Sequence, residues 1–419
     1  MSAPRTLHVA IPAMNEAAWL PRTLTCLKNE QQHHTVTWIC VNQPENWWQD
    51  PEKQAVCENN RQTLAYLNNL HDQHLHIIDH SSPGKGWTGK AFGVGKARQV
   101  LMEHINKKAS ADDLIVSLDA DTCFDPGYLE AVTRIFDTLP HAIALSNPYY
   151  HRLTGEDQLD RAMLRYEIYM RHYAINMWRI GSPYNFTALG SAIALPVSAY
   201  RKIGGITAKK SGEDFYFLQK LRKAGWICTH NTHVVYPQTR YSDRVFFGTG
   251  PALIKGSQGN WQSYPVYSHR LFDKVKKTYH MFPALFDSNP KTPMSAFLSA
   301  QFRENDPFSE LRKNSSSREQ FVKACHQKVD GLRILQFLKA SSDTDNHDDE
   351  GNLLRFFEEG YPELPLTHDP YQRFLSNLNE KEQAEWAHLD FRSAPVGLLD
   401  KVRNLLWDIE QYYQMNDLS

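Results

Sequence analysis

Residues 114–121 read LIVSLDAD, an apolar run that ends without a break in Asp119-Ala120-Asp121. A short stretch of this kind, rich in β-branched residues, reads as a buried strand, so the two acids lie at its carboxyl end. Working outward, similar segments occur at 7–12 (LHVAIP), 36–42 (VTWICVN), 75–79 (LHIID) and 142–146 (AIALS). Helical stripes fall between them. Residues 16–28 align Ala17, Leu20, Leu24 and Leu27. Residues 91–105 align Phe92, Val94, Leu101 and Ile105, and 127–139 align Leu129, Val132, Ile135 and Phe136. Alternation of this kind predicts an α/β domain, with a mostly parallel, Rossmann-like sheet covered on both faces. In open sheets ligands bind beyond the carboxyl ends of the strands, so polar residues just after a strand become site candidates.

Further along, 156–180 reads as a long amphipathic helix with Met163, Tyr166, Met170 and Tyr173 on its apolar side. A strand (191–195), a short helix, a helix at 214–224 and a strand across 226–236 follow. After about residue 250 the strand signal fades, and 317–339 and 396–413 read as helices, the latter through Leu399, Val402, Leu406, Ile409 and Tyr413. The expected division is 1–250 for the α/β domain and 251–419 for an all-helical region. The polar, acidic stretch 341–351 reads as a linker.

Composition excludes several classes. The 46 Lys and Arg nearly balance the 47 Asp and Glu, so there is no basic face for nucleic acid. With 41% hydrophobic and 22% charged residues the chain is globular in type. No apolar run reaches the roughly 20 residues that span a bilayer. The expectation is a soluble, cytoplasmic protein, with peripheral membrane contact left open. The six cysteines form no C-x-x-C pair, so neither a disulfide framework nor a structural zinc site is expected. His74, His76 and His80 would share one face of a strand, where no set of ligands is completed.

Chemistry concentrates at the strand ends. Two carboxylates separated by one small residue can hold a hard divalent cation against a diphosphate. Mg²⁺ and Mn²⁺ prefer oxygen ligands and keep one or two protein carboxylates, phosphates and water completing the shell. The same location rule selects Asn15-Glu16 after LHVAIPAM and Asn42-Gln43 after VTWICV. Gly93-Val94-Gly95-x-x-Arg98 imitates a dinucleotide fingerprint but lacks a strand directly before it.

The order Pro12-Ala13-Met14-Asn15-Glu16, then Asp119-Ala120-Asp121, then Gly212-Glu213-Asp214 opening a helix resembles family 2 glycosyltransferases with the GT-A fold. GKGWTGKAFGVGKAR (84–98) and GSAIALPVSAYRKIGGI (190–206) are similar to that family's Gly- and Lys-rich stretch and its acceptor-side segment. The resemblance covers roughly residues 7–250. It departs after the second strand, where Val41-Asn42-Gln43-Pro44 replaces the acids that many members carry. The Q-x-x-R-W signature and membrane spans of processive synthases are missing, which implies a non-processive enzyme. The helical extension resembles that of mannosylglycerate synthase, a retaining enzyme.

The resemblance implies a nucleotide-sugar donor and Mg²⁺ or Mn²⁺. Asp121 would ligate the metal and Asp119 would face the ribose or the metal shell. A third ligand would be a His after the last strand; His230 and His233 both qualify, with His233 preferred and a strand-surface His as the other reading. Pro12, Ala13, Asn15, Glu16 and Asn42 would line the nucleotide. Arg240 and Arg244 would clamp the diphosphate, with an ordinary salt bridge as the other reading and Lys85, Lys90 and Arg98 as weaker candidates. Asp214, beside Glu213, matches the general base of an inverting transfer. Trp178, Tyr184 and Asn185 are acceptor-side candidates, with simple core packing as the other reading. The alternatives are a retaining transferase, a sugar nucleotidyltransferase, which would want a Gly-rich basic loop after the first strand, and an inactive sugar-binding protein.

Overall fold

Leu7–Ala13 (β1) is buried along its whole length, as a strand inside a two-sided sheet must be. In the computed structural model, described here for all residues except 1–4, 31–33, 90–91, 210–211, 243–247, 343–347, 362–363, 365–368 and 418–419, the chain forms two compact units. One comprises Met1–Met163 and Phe186–Ile254, the other Leu164–Asn185 and Lys255–Asp417.

The first unit runs β1, α1 (Leu20–Asn29), β2 (Thr35–Asn42), α2 (Gln54–Asn69), β3 (Leu75–His80), α3 (Val94–Lys108), β4 (Leu114–Ser117), β5 (Cys123–Phe124), α4 (Tyr128–Thr138) and β6 (Ala142–Ser146). After the start of α5 (Asp157–Arg179) it resumes with β7 (Ile193–Pro196), α6 (Val197–Lys202), α7 (Glu213–Ala224), β8 (Trp226–Cys228), β9 (Val235–Tyr236) and α8 (Thr249–Ser257). The main sheet has the order β3-β2-β1-β4-β7-β6-β8. β7 alone runs against its neighbours β4 and β6; the other pairings are parallel. This is the mostly parallel α/β sheet expected of the GT-A fold. Ala10, Cys40, Ile115 and Ile193 of the sheet pack with Leu101 and Ile105 of α3 and Phe217, Leu218 and Leu221 of α7. That packing holds the starts of α3 and α7 at the sheet.

Several elements differ from the sequence reading. The first helix starts at Leu20 rather than 16, with Pro21 in its first turn, and Asn15 just before it adopts a left-handed φ of 62°. Helix α2 carries no apolar stripe; its buried residues are Cys57, Asn60, Thr63 and Leu67, which periodicity does not flag. The strand expected across 226–236 is two strands in different sheets. Between them Asn231 turns the chain: its Nδ2 donates to Asn147 Oδ1 at 2.7 Å and its Oδ1 accepts from the His233 amide. The helix expected over 317–339 is broken where Asp330 caps a new one, accepting from the Arg333 amide at 3.2 Å.

The second unit is helical: α9 (His269–Met281), α10 (Ser295–Phe302), α11 (Ser309–Asn314), α12 (Arg318–Lys328), α13 (Gly331–Ser341), α14 (Asp349–Arg355), α15 (Pro370–Ser376), α16 (Glu380–Ala387) and α17 (Val396–Asn416). Of the linker expected at 341–351, residues 343–347 lie outside the described residues, while Ser341 closes α13 and Asp349–Gly351 already open α14. Among the described residues no helix is long and apolar enough to cross a membrane. The long helix α5 is not amphipathic as read: it is buried nearly all round, charged residues included. Arg171 donates Nε to Glu167 at 3.0 Å and also binds Glu410 of α17, while Arg403 reaches the other Glu167 oxygen at 3.4 Å. Trp407 lies 4.6 Å from the Arg171 guanidinium carbon. Buried charges persist only when paired, and removing one partner of such a pair costs about 3–5 kcal/mol. Glu410→Ala is therefore expected to lower unfolding stability by about that amount in urea titrations, and Glu410→Gln, which keeps the hydrogen bond, by clearly less.

Candidate functional site

β1, β2 and β4 are parallel neighbours, so Asn15, Asn42 and Asp119 come to the same edge of the sheet. At the centre of that edge is Arg98 on the first turns of α3, only 1% exposed. Its Nε donates to Ser117 Oγ at 3.0 Å, its Nη2 to Asp119 Oδ1 at 2.6 Å, and its Nη1 to Glu213. Gly190 passes against the guanidinium so closely that a Cβ there would overlap it, and Gly190 O accepts from Ser117 Oγ at 2.7 Å. One buried cation thus joins the loop after β4 to the start of α7.

Glu213 and Asp214 occupy the first turn of α7, after Gly212 at a left-handed φ of 71°. Acids there also favour the positive end of the helix dipole. Glu213 is buried, and burial pushes its carboxyl up to about 7, with Arg98 opposing and Asp214 adding to the rise. Asp214 is half-buried; burial raises its pKa, against the pull of Arg98 and of the Phe215 amide, which donates to Asp214 Oδ1 at 2.7 Å.

A second cluster forms around Arg240. Its Nε and Nη2 donate to Asp121 Oδ2 at 2.9 and 2.6 Å, and Nη2 also reaches both Glu16 oxygens at 2.7 and 2.8 Å. The guanidinium lies 5.4 Å from the Trp19 ring. Burial raises the Asp121 carboxyl, Arg240 lowers it, and Asp119 adds to the rise. Asp119 is the more open acid, its side chain 39% exposed.

Other candidates fall elsewhere. Pro12 and Ala13 are buried at the end of β1, and Asn15 is exposed with its amide bound to Asn60 Oδ1 at 2.8 Å. Asn42 is buried, donating to Ala13 O at 3.0 Å and accepting from Trp87 Nε1 at 3.2 Å, so its side chain ties strand ends together. Lys85 pairs with Asp79 at 3.0 Å. Lys90 and Arg244 lie outside the described residues. His233 is not brought together with Asp119 and Asp121: among the described residues no three His, Cys, Asp or Glu side chains are placed to hold a metal. Its ring packs over the start of α4, with Nε2 3.1 Å from where a Cβ on Gly127 would stand. In the second unit, Trp178 stacks on Tyr413 at 6.1 Å and Tyr184 donates to His326 O at 3.2 Å; both are core residues there.

The sequence reading missed the end of β3. Asp79 accepts from the Ser81 and Ser82 amides at 3.0 and 2.9 Å, and these bonds with Lys85 hold its pKa low despite burial. His80 stacks on Trp87 at 3.8 Å, and Glu45 accepts the amides of Gly84 and Gly86 at 2.8 and 2.7 Å, folding the 82–87 loop over the strand ends. Asp79 closes LHIID, so the strand-end rule could have selected it; nothing local marks Trp87.

Residues 114–256, about a third of the chain, match the family described as Glycosyl transferase family group 2. That span holds Asp119, Asp121, Glu213, Asp214, His233 and Arg240 and agrees with the resemblance read from the motifs. It identifies a glycosyltransferase-type segment. The sequence finds no match among curated proteins. Among solved structures, S. aureus TarS residues 1–349 in complex with UDP-GlcNAc is similar at 11% identity over 77% of this chain and 91% of that one, with a TM-score of 0.40. The mannosyltransferase PcManGT from Pyrobaculum calidifontis, in complex with GDP-Man and Mn²⁺, is similar at 11% identity over 97% and 88%, also with a TM-score of 0.40. Likenesses of that extent fix neither donor nor acceptor.

Glu213 supplies a test of the buried network. With a folded-state pKa raised from 4.5 to about 7, its contribution to stability is fully present below pH 4.5 and lost as pH rises through 7. The unfolding free energy of Glu213→Gln, which does not titrate, is expected to gain on that of the unsubstituted protein between those values. A pH series of urea denaturations measures it, and a constant difference would remove the burial argument.

Proposed function

We propose that the chain transfers a sugar from a nucleotide-diphosphate sugar to an acceptor hydroxyl, non-processively and with inversion, and that residues 1–250 carry this activity. The observation that carries the reading is the double grip of Arg98 on Asp119 and Glu213, which places a D-x-D pair and an acid pair at one sheet edge. Sugar transfer needs those two parts: compensation of charge developing on the leaving diphosphate, and a base for the acceptor hydroxyl.

Asp119 and Asp121 fit a hard divalent cation by donor chemistry, as a pair of carboxylates whose remaining positions diphosphate and water would fill. Bound there, Mg²⁺ or Mn²⁺ would supply Lewis-acid stabilisation of the leaving group. Arg240, on Asp121 and Glu16, stands beside the same carboxylates as a second positive charge for the diphosphate. Asp214 serves as base. Of the two acids opening α7 it is the one not hydrogen-bonded to Arg98, and it is half-buried where Glu213 is buried. Its raised pKa makes it a stronger base than an ordinary aspartate. Glu213 orients that first turn through Arg98.

Two substitutions test the assignment. Asp121→Ala is expected to abolish Mn²⁺-dependent binding of UDP and GDP in calorimetry; unchanged affinity would take Asp121 out of the site. Asp214→Asn keeps shape and removes basicity, so turnover on a panel of nucleotide sugars is expected to fall by roughly a hundredfold or more with nucleotide affinity intact. Near-normal turnover in the folded variant would remove the base role and favour retention of configuration.

A further inference from the structure

Two thiols meet beside the acidic loop. Cys26 on α1 and Cys123 on β5 are 97 residues apart in sequence, yet their sulfurs stand 2.6 Å from each other. A disulfide is about 2.05 Å long, so the two sulfurs stand about half an ångström beyond bonding distance. The neighbourhood is already fixed on both sides. Thr23, one turn before Cys26, donates Oγ1 to Ala120 O at 2.9 Å, and Cys123 pairs with Tyr236 in the small antiparallel sheet. Cys26 is half-buried and Cys123 buried, so Cys26 is the sulfur open to small oxidants; Cys40, Cys57, Cys228 and Cys325 are buried as well.

We propose that Cys26 and Cys123 are a reversible oxidation site, closed to a disulfide by peroxide and reopened by dithiols. The inference goes beyond the transferase reading and does not rest on it. In the balanced step, one sulfur attacks a peroxide oxygen, the O–O bond breaks, and a sulfenic acid and one water form. The second sulfur then displaces the hydroxyl, the S–S bond forms, and a second water leaves with the remaining thiol proton. Two sulfurs each lose one electron overall, and the two peroxide oxygens are reduced. A dithiol reverses this by exchange through a mixed disulfide. The product joins α1 to the strand that begins two residues after Asp121, closing a loop of about a hundred residues.

The experiment uses the full-length reduced protein and hydrogen peroxide at a few equivalents, followed by iodoacetamide and mass spectrometry. The expected result is a mass loss of about 2 Da, two fewer alkylated thiols, and one linked peptide pair containing residues 26 and 123, all reversed by dithiothreitol. The thermal midpoint of the oxidised protein is expected to rise by several degrees, because the bridge restricts the unfolded chain. Cys26→Ser should show neither the bridge nor the rise. Both thiols still open to iodoacetamide after peroxide would overturn the proposal. So would sulfinic acid at either position without a bridge, or a bridge between two copies of the chain.

Discussion

The burial of Arg98 is the constraint on which the site depends. A guanidinium out of water is tolerated only when its donors are matched, and here Ser117, Asp119 and Glu213 match them. Those partners come from the end of β4, the acidic loop and the first turn of α7. Arg98 itself stands on α3, whose Leu101 and Ile105 pack in the core. Sheet packing therefore sets where the cation sits, and the cation sets where the acids sit. Gly190 completes the arrangement, since any side chain there would occupy the volume of the guanidinium.

Acids crowd this edge. Glu16, Asp119, Asp121, Glu213 and Asp214 gather around Arg98 and Arg240 among the described residues. Asp121, Glu213 and Asp214 are all raised, by burial first; Arg240 or Arg98 opposes the rise, and Asp119 adds to it in each case, joined at Glu213 by Asp214. Buried acids brought this close favour either protons or a further cation, so a pH-sensitive network and the proposed metal binding would share one origin.

Much of this was legible in the sequence, because strand ends are marked by composition. LIVSL before Asp119 and LHVAIP before Asn15 are apolar runs that stop abruptly, and a parallel sheet sends all such stops to one edge. From sequence Arg98 reads only as a weak diphosphate clamp, because nothing local tells a buried arginine from an exposed one; its partners are 19, 21 and 115 residues away. Helix α5 failed for a related reason. Arg165, Glu167 and Arg171 look like a solvent face, but buried countercharges far along the chain make them core. The strand that the sequence predicts through His233 is interrupted because Asn231 turns the chain, which lays the His233 ring over the start of α4.

The acidic loop is gripped from its other side by one short helix and the turn before it. Glu16, entering α1, binds Arg240, which binds Asp121; Thr23 holds the carbonyl of Ala120 between the two acids; Cys26 faces Cys123. Residues 119–123 are thus fixed from α1 at successive positions, while Arg98 holds Asp119 from α3. Loops are usually the mobile part of a scaffold. In this one Asp119 O accepts from the Thr122 amide and Ala120 O from Thr23, with Asp119 left as the half-open carboxylate at the surface. A carboxylate held in place before a ligand arrives loses little further freedom on binding, which suits the proposed alignment of a charged leaving group. The same clamps mean that a change in α1 reaches Asp121 through Arg240 and through the backbone at once, so the helix and the acidic loop behave as one element of the site.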